Sequence, residues 1–173
     1  MTFDSKIVSR EISAILWRNH KTLSTAESCT AGRISSVITS VPGSSNYFKG
    51  GLVCYWTDLK ENFLHVDAET ISKETVVSEN VVRQMVVGAN KMFQTDYAIA
   101  ISGFAGPGGD DTNSGVNVPV GTIWIAVGRE GNIRTLKLEE DMGRDRNLTF
   151  ATVSAVRLLR DYLLDELGEP VSE

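Results

Sequence analysis

The sequence predicts an α/β protein, a three-layer α/β/α sandwich around a mixed, mostly parallel sheet. Three observations predict it. Segments of helical period alternate with short apolar runs through the first half of the chain, as in strands joined by crossover helices. Tyr97 to Ile101 is a near-continuous apolar run, the mark of a strand covered on both faces. Glu130-Gly131-Asn132 stands between two strand-like segments as a hairpin turn, so one pair is antiparallel. The 173 residues, 42% of them hydrophobic, suffice for a single domain with a sizeable core over the whole chain.

Residues 4–19 read as an amphipathic helix, with Val8, Ile12, Ile15 and Leu16 at i, i+4, i+7 and i+8. A short strand follows at Leu23 to Ala26. From Thr30 onward the pattern is helical, with a stripe of Ile34, Val37 and Ile38 that stops before Pro42-Gly43. Gly50-Gly51 opens a strand at Leu52 to Trp56, and a short helix covers Lys60 to Leu64. Ser78 is an N-cap for a helix whose stripe is Val82, Met85, Val86, Ala89 and Phe93. After the strand at Tyr97 comes a turn-rich loop, Gly103 to Pro119. Strands at Thr122 to Val127 and Ile133 to Leu138 flank the hairpin turn. The last helix runs from Arg146 to Leu167, with Leu148, Ala151, Ala155, Leu159 and Tyr162 inward, and Gly168 and Pro170 end it.

The net charge of −5 argues against bulk binding to nucleic acid, which needs a basic face, but leaves room for a small anionic ligand in a locally basic pocket. Cys29 and Cys54 lack metal-ligand spacing and read as reduced thiols. The N-terminal residues carry no apolar signal region, and no apolar run reaches the ~20 residues of a membrane span. The expected location is the cytoplasm.

Four segments are able to carry chemistry. Thr25-Ala26-Glu27-Ser28-Cys29-Thr30 sits where a strand gives way to a helix, so Ser28 is either a helix cap or an exposed nucleophile beside free N–H groups. Successive residues at a helix start point about 100° apart, so only one of Ser28 and Cys29 can face a given partner. Lys60 follows the strand end at Tyr55; it is a surface lysine unless burial or a nearby cation drives its pKa down and frees it to act as a base. The small residues from Ser102 and Gly103 to Gly109 let backbone approach a ligand closely, but match neither the phosphate-loop nor the dinucleotide fingerprint. Gly143-Arg144-Asp145-Arg146 offers an arginine that can grip phosphate. Asp110 and Asp111 read as a polar loop tip rather than a cation site, and His20 and His65 show no metal spacing.

Taken in order, these segments resemble the CinA C-terminal-domain family, the stand-alone nicotinamide-nucleotide amidohydrolases, from about Leu23 to about Arg146. The resemblance is carried by Ala26-Glu27-Ser28-Cys29-Thr30, Gly43-Ser44-Ser45 with Phe48, Tyr55 with Lys60, Ser102 to Pro107, Pro119-Val120-Gly121-Thr122 and Asp145-Arg146. It implies cleavage of the carboxamide of nicotinamide mononucleotide, with Ser28 as nucleophile, Lys60 as base and Tyr55 assisting, and without metal or cofactor. Cys29, Thr30, Ser44, Ser45, Ser102, Gly103 and Gly106 are then expected to bind substrate, with Arg146 on the phosphate. It also implies association as a homo-oligomer. The chain departs from the family at Ala31 and His65, where glycine is usual, at Trp56-Thr57, where Ser-Asn is usual, and at Phe150, where arginine is frequent. These departures leave a second reading, a catalytically silent nucleotide-binding module, and a third, an amidase for another small amide.

Overall fold

A computed structural model describes residues 3–108 and 116–168. Asp110, Asp111 and Pro170 lie outside the described residues. The elements are α1 (Phe3–Arg18), β1 (Leu23–Glu27), α2 (Arg33–Thr39), β2 (Phe48–Val53), α3 (Thr57–Leu64), α4 (Ala68–Glu74), α5 (Glu79–Phe93), β3 (Tyr97–Gly103), β4 (Ile123–Arg129), β5 (Asn132–Leu138) and α6 (Arg144–Leu167). The strands form one sheet in the order β2-β1-β3-β4-β5.

Helices cover both faces of that sheet. The odd positions of β1 and β3, Leu23, Tyr97, Ile99 and Ile101, meet the stripes of α1, α2 and α6. The alternate positions, Ala26, Ala98 and Ala100, meet α3 and α5. Every residue assigned to the α1 and α6 stripes from sequence is buried. Ser78 caps α5 as expected, its Oγ accepting the N–H of Val81 at 3.3 Å.

The sheet is mixed but not mostly parallel in its pairings. β1 runs parallel to β2 and β3, whereas β3–β4 and β4–β5 are antiparallel, so two of the four pairings are parallel. The cause is connectivity: among the described residues no crossover helix stands between β3 and β4, and β5 returns through the hairpin.

Other expected bounds move: β2 ends at Val53 instead of Trp56, α3 begins at Thr57 instead of Lys60, and α6 begins at Arg144 instead of Arg146. β2 starts at Phe48, so Gly50 and Gly51 lie inside the strand instead of opening it. A Cβ on Gly51 would stand 2.2 Å from Thr25 Oγ1 and 2.8 Å from Ser35 Oγ, so this glycine marks a close approach and not a turn. α2 starts at Arg33, because residues 28–32 form turns that end in left-handed backbone at Ala31 (φ 49°) and Gly32 (φ 92°). His65, the cap that ends α3, is also left-handed (φ 55°). Ala31 and His65, where the resemblance leads one to expect glycine, are thus positions where a Cβ is penalised. Both residues are exposed. Ala31→Gly and His65→Gly should each raise the unfolding free energy in urea by about 0.5–1 kcal/mol.

Candidate active site

The parallel strands diverge at β1. The chain leaves its C-terminal end toward β2 on one side, while β3 takes the other. Ligand crevices of open α/β sheets lie at such a switch point, outside the carboxyl ends of the strands. The cleft here is walled by Ser28 and Cys29 after β1, by Tyr55, Thr57 and Lys60 after β2, and by the residues following β3; Arg144 closes it from the start of α6.

Strand alternation decides which way the key side chains point. Glu27 faces α2 and Ser28 faces the α3–α5 layer. Ser28 N–H donates to Ile101 O (3.1 Å), which continues the β1–β3 ladder one residue beyond the strand and fixes the serine backbone. Lys60, in the first turn of α3, is only 1% exposed. Its Nζ lies 2.7 Å from Cys54 O and 3.2 Å from Ser28 Oγ. Cys54 N–H in turn donates to Glu27 O (2.8 Å), so the ends of β1 and β2 are tied together just where serine and lysine meet.

Burial pushes the Lys60 pKa down, with only partial opposition from the neighbouring Cys54 and Cys29 sulfurs. The acid of this region, Glu27, cannot restore the charge, since both its oxygens are engaged on the other side of β1. Oε2 accepts from Thr30 Oγ1 (2.7 Å), Gly32 N (3.0 Å) and Ile34 N (3.1 Å); Oε1 accepts from Ser35 N (2.8 Å) and Ser35 Oγ (2.7 Å). The hydrogen-bonding capacity of the buried Glu27 side chain is therefore met by hydroxyls and by the N–H groups at the start of α2. Desolvation has the opposite sign for a thiol: burial pushes Cys29 up to about 12, so it is protonated near neutral pH and a poor nucleophile.

The cleft unites Ser28, Lys60, Tyr55, Cys29, Ser102, Gly103 and Gly106, all named from sequence. Four expected binding residues fall elsewhere. Thr30 is spent on Glu27. Ser44 and Ser45 form a 3-10 turn that precedes β2, at the opposite end of the sheet, where Tyr47 O accepts Leu23 N–H (2.8 Å). Arg146 lies in a separate groove along α6 with Phe150 and Arg157.

The cation at the cleft is Arg144. Its Nη1 donates to Gly106 O (2.7 Å) and its Nη2 to Tyr55 OH (3.3 Å). Asn147, which the sequence reading passed over, sets this corner: its Nδ2 donates to Ala105 O (3.1 Å) and Asp141 Oδ1 (3.0 Å), and its Oδ1 accepts Met142 N–H (2.8 Å). The Pro119–Thr122 segment is explained as well. Gly121 N donates to Phe104 O (2.8 Å) and Phe104 N to Thr122 O (2.9 Å), pinning the loop that forms the cleft wall.

Fold and site together define an α/β protein with a buried serine–lysine pair at the switch point of a mixed sheet. The chain belongs to the CinA C-terminal domain family, whose family model matches residues 5–163. It is 37% identical over 161 residues to a CinA-like protein of Cytophaga hutchinsonii, an alignment that covers 93% of this chain and 38% of that protein. A putative competence-damage inducible protein of Halothermothrix orenii is also 37% identical, over 92% of this chain and 38% of its own length. The chain thus spans about two fifths of these relatives. Among solved structures, the competence/damage inducible protein CihA from Agrobacterium tumefaciens superposes with a TM-score of 0.83 at 31% identity, over 91% of this chain and 94% of that one. A CinA superfamily protein from Enterobacter cloacae gives 0.85 at 28% identity, over 94% of both chains. No described helix is long and apolar enough to cross a membrane.

Proposed function

We propose that this protein hydrolyses the carboxamide of nicotinamide mononucleotide to nicotinate mononucleotide and ammonia, with Ser28 as nucleophile and Lys60 as general base. The observation that supports the reading most is the buried 3.2 Å contact between Ser28 Oγ and a lysine whose charge is disfavoured by burial. A neutral amine there accepts the hydroxyl proton through its lone pair while an N–H still donates to Cys54 O.

Ser28 Oγ attacks the carboxamide carbon and its proton passes to Lys60 Nζ. N–H groups of the turn after Ser28 receive the developing oxyanion; such a donor is typically worth about 3 kcal/mol. The C–N bond then breaks as Lys60 returns the proton to the leaving nitrogen, giving ammonia. Water attacks the acyl-serine, loses a proton to Lys60, and releases the carboxylic acid as Ser28 regains its hydrogen. Arg144 takes the phosphate role first assigned to Arg146, because it is the arginine at the cleft.

Of the departures at Trp56, Thr57 and Phe150 that raise a silent binding module, only Thr57 lines the cleft, where it keeps a hydroxyl. The Trp56 indole is 74% exposed and absent from the cleft wall, and Phe150 lies in the α6 groove. Incubating the wild-type protein with nicotinamide mononucleotide should yield ammonia and nicotinate mononucleotide in equal amounts. Tight binding without ammonia would sink the amidase reading and favour the module. Arg144→Ala should raise KM for the nucleotide about ten-fold or more, as expected for a charge-assisted contact worth ~1.5–3 kcal/mol, and change that for nicotinamide riboside far less. Equal effects on both substrates would remove the phosphate role. Cys29→Ala should keep kcat within about three-fold, because a protonated thiol contributes no nucleophile.

A further inference from the structure

Ser28 and Ser102 are neighbours across the β1–β3 ladder. The register runs to Glu27 opposite Ile101, so the next pair is Ser28 opposite Ser102, and both side chains leave the same face of the sheet. A hydroxyl beside the nucleophile invites a role in binding the carboxamide. The one proton of the Ser102 hydroxyl is committed elsewhere: its Oγ donates to Val76 O at 2.7 Å, and the residue is only 1% exposed, so the hydroxyl has no donor left for the carboxamide.

Val76 belongs to the connection between α4 and α5, and the backbone there is strained. Thr75, the residue after α4, has φ 73° and ψ 167°, a region that L side chains rarely enter and β-branched ones least. It is fully buried and held by two bonds: its N–H donates to Ile71 O (2.9 Å) and its Oγ1 accepts Val77 N–H (3.1 Å). The strained turn and the Ser102 anchor have one common result. They place Val76 and Val77 as an apolar wall of the cleft that holds Ser28 and Lys60. Such strain persists only where its surroundings over-determine it, and it concentrates at ligand-binding sites.

We infer that the Val76–Val77 wall contacts the flat aromatic ring of the substrate's acyl half, and that Ser102 is a positioning residue which sets this wall instead of bonding the carboxamide. The inference deepens the amidase reading and rests on it. An apolar wall beside a polar reaction centre favours amides of planar rings over those of short aliphatic acids. The hydroxyl of Ser102 then acts on binding and not on proton transfer.

The test compares wild type, Ser102→Ala and Ser102→Thr by steady-state ammonia release from nicotinamide mononucleotide, with thermal unfolding of each. Loss of one hydrogen bond that fixes the wall should raise KM about ten-fold in Ser102→Ala while kcat stays within about three-fold. Ser102→Thr, which keeps the hydroxyl, should restore KM. A merely structural role would lower the unfolding temperature without this KM-against-kcat split or its rescue. A fall of kcat by a hundred-fold or more at unchanged KM would place Ser102 in the chemical step and overturn the inference. So would unchanged kinetics in Ser102→Ala while wild type turns over. Failure of the wild-type protein to release ammonia is the separate result that overturns the amidase reading, and this inference with it.

Discussion

Lys60→Met should abolish ammonia release, by on the order of 10⁴-fold or more, while leaving the protein folded. Methionine keeps the length and apolar stem of the side chain and removes the amine that contacts Ser28 Oγ. Ser28→Ala should lose a similar factor, and the double variant should be no worse than either single one, because nucleophile and base act as a unit. The stability effect has a definite sign. Burial depresses the Lys60 pKa in the folded state. Between that lowered value and the ordinary lysine value of 10.5 the unfolded chain binds the extra proton, so wild-type stability rises with pH across this window. Lys60→Met removes the dependence. The stability of Lys60→Met relative to wild type should therefore be greatest at the acid end of this window and shrink as the pH rises through it. The wild-type rate should climb with pH through the same lowered pKa, since only the neutral amine accepts the serine proton. A rate that falls with rising pH over that range would mean that the charged amine is the working form.

Glu27→Ala should be the most destabilising single change near the site, at about 3–5 kcal/mol by chemical denaturation. Glu27 is only 1% exposed, and its carboxylate gathers five donors from Thr30, Gly32, Ile34 and Ser35. Removing it strands the Thr30 hydroxyl and three backbone N–H groups at the start of α2, while the Ser35 hydroxyl keeps its 2.7 Å contact with Thr25 Oγ1. Glu27→Gln retains the volume but sets an NH₂ donor against those donors, so it should recover only part of the loss. Because Ser28 is the next residue and Cys54 N–H bonds Glu27 O, activity should fall along with stability. A Glu27→Ala protein as stable as wild type would show that the turn after Ser28 is held by something other than this carboxylate.

The long stripes of α1, α5 and α6 were legible in sequence because burial repeats there with helical period, and that periodicity is what fixes the layers. α4 left no such trace, since none of its residues is buried; its one readable sign was Asp67, whose side chain caps Glu69 N and Thr70 N. Among the site residues, Ser28 and Tyr55 were readable as residues at strand ends, and Lys60 as a residue of the helix that follows, in a family pattern. The geometry of Arg144 was not. Which of two arginines two positions apart faces a cleft depends on where α6 begins, and that is set by Gly143 and by the tertiary bonds of Asn147. Glu27 sat inside the quoted motif with no role assigned, because alternation along β1 sends it away from Ser28 and only the folded turn reveals its donors. Ser44 and Ser45 erred in the other direction: a motif match says nothing about which end of the sheet a residue occupies.

The pairing of Ser28 with Lys60 is tested most directly by catching the acyl-enzyme. Nicotinamide mononucleotide mixed with wild-type protein and quenched in acid within one turnover should give an intact mass raised by that of the substrate less ammonia, and peptide mapping should place the increment on Ser28. Cys29→Ala should show the same adduct, and Lys60→Met should show none. An adduct on Cys29, or full ammonia release by Ser28→Ala, would contradict the account.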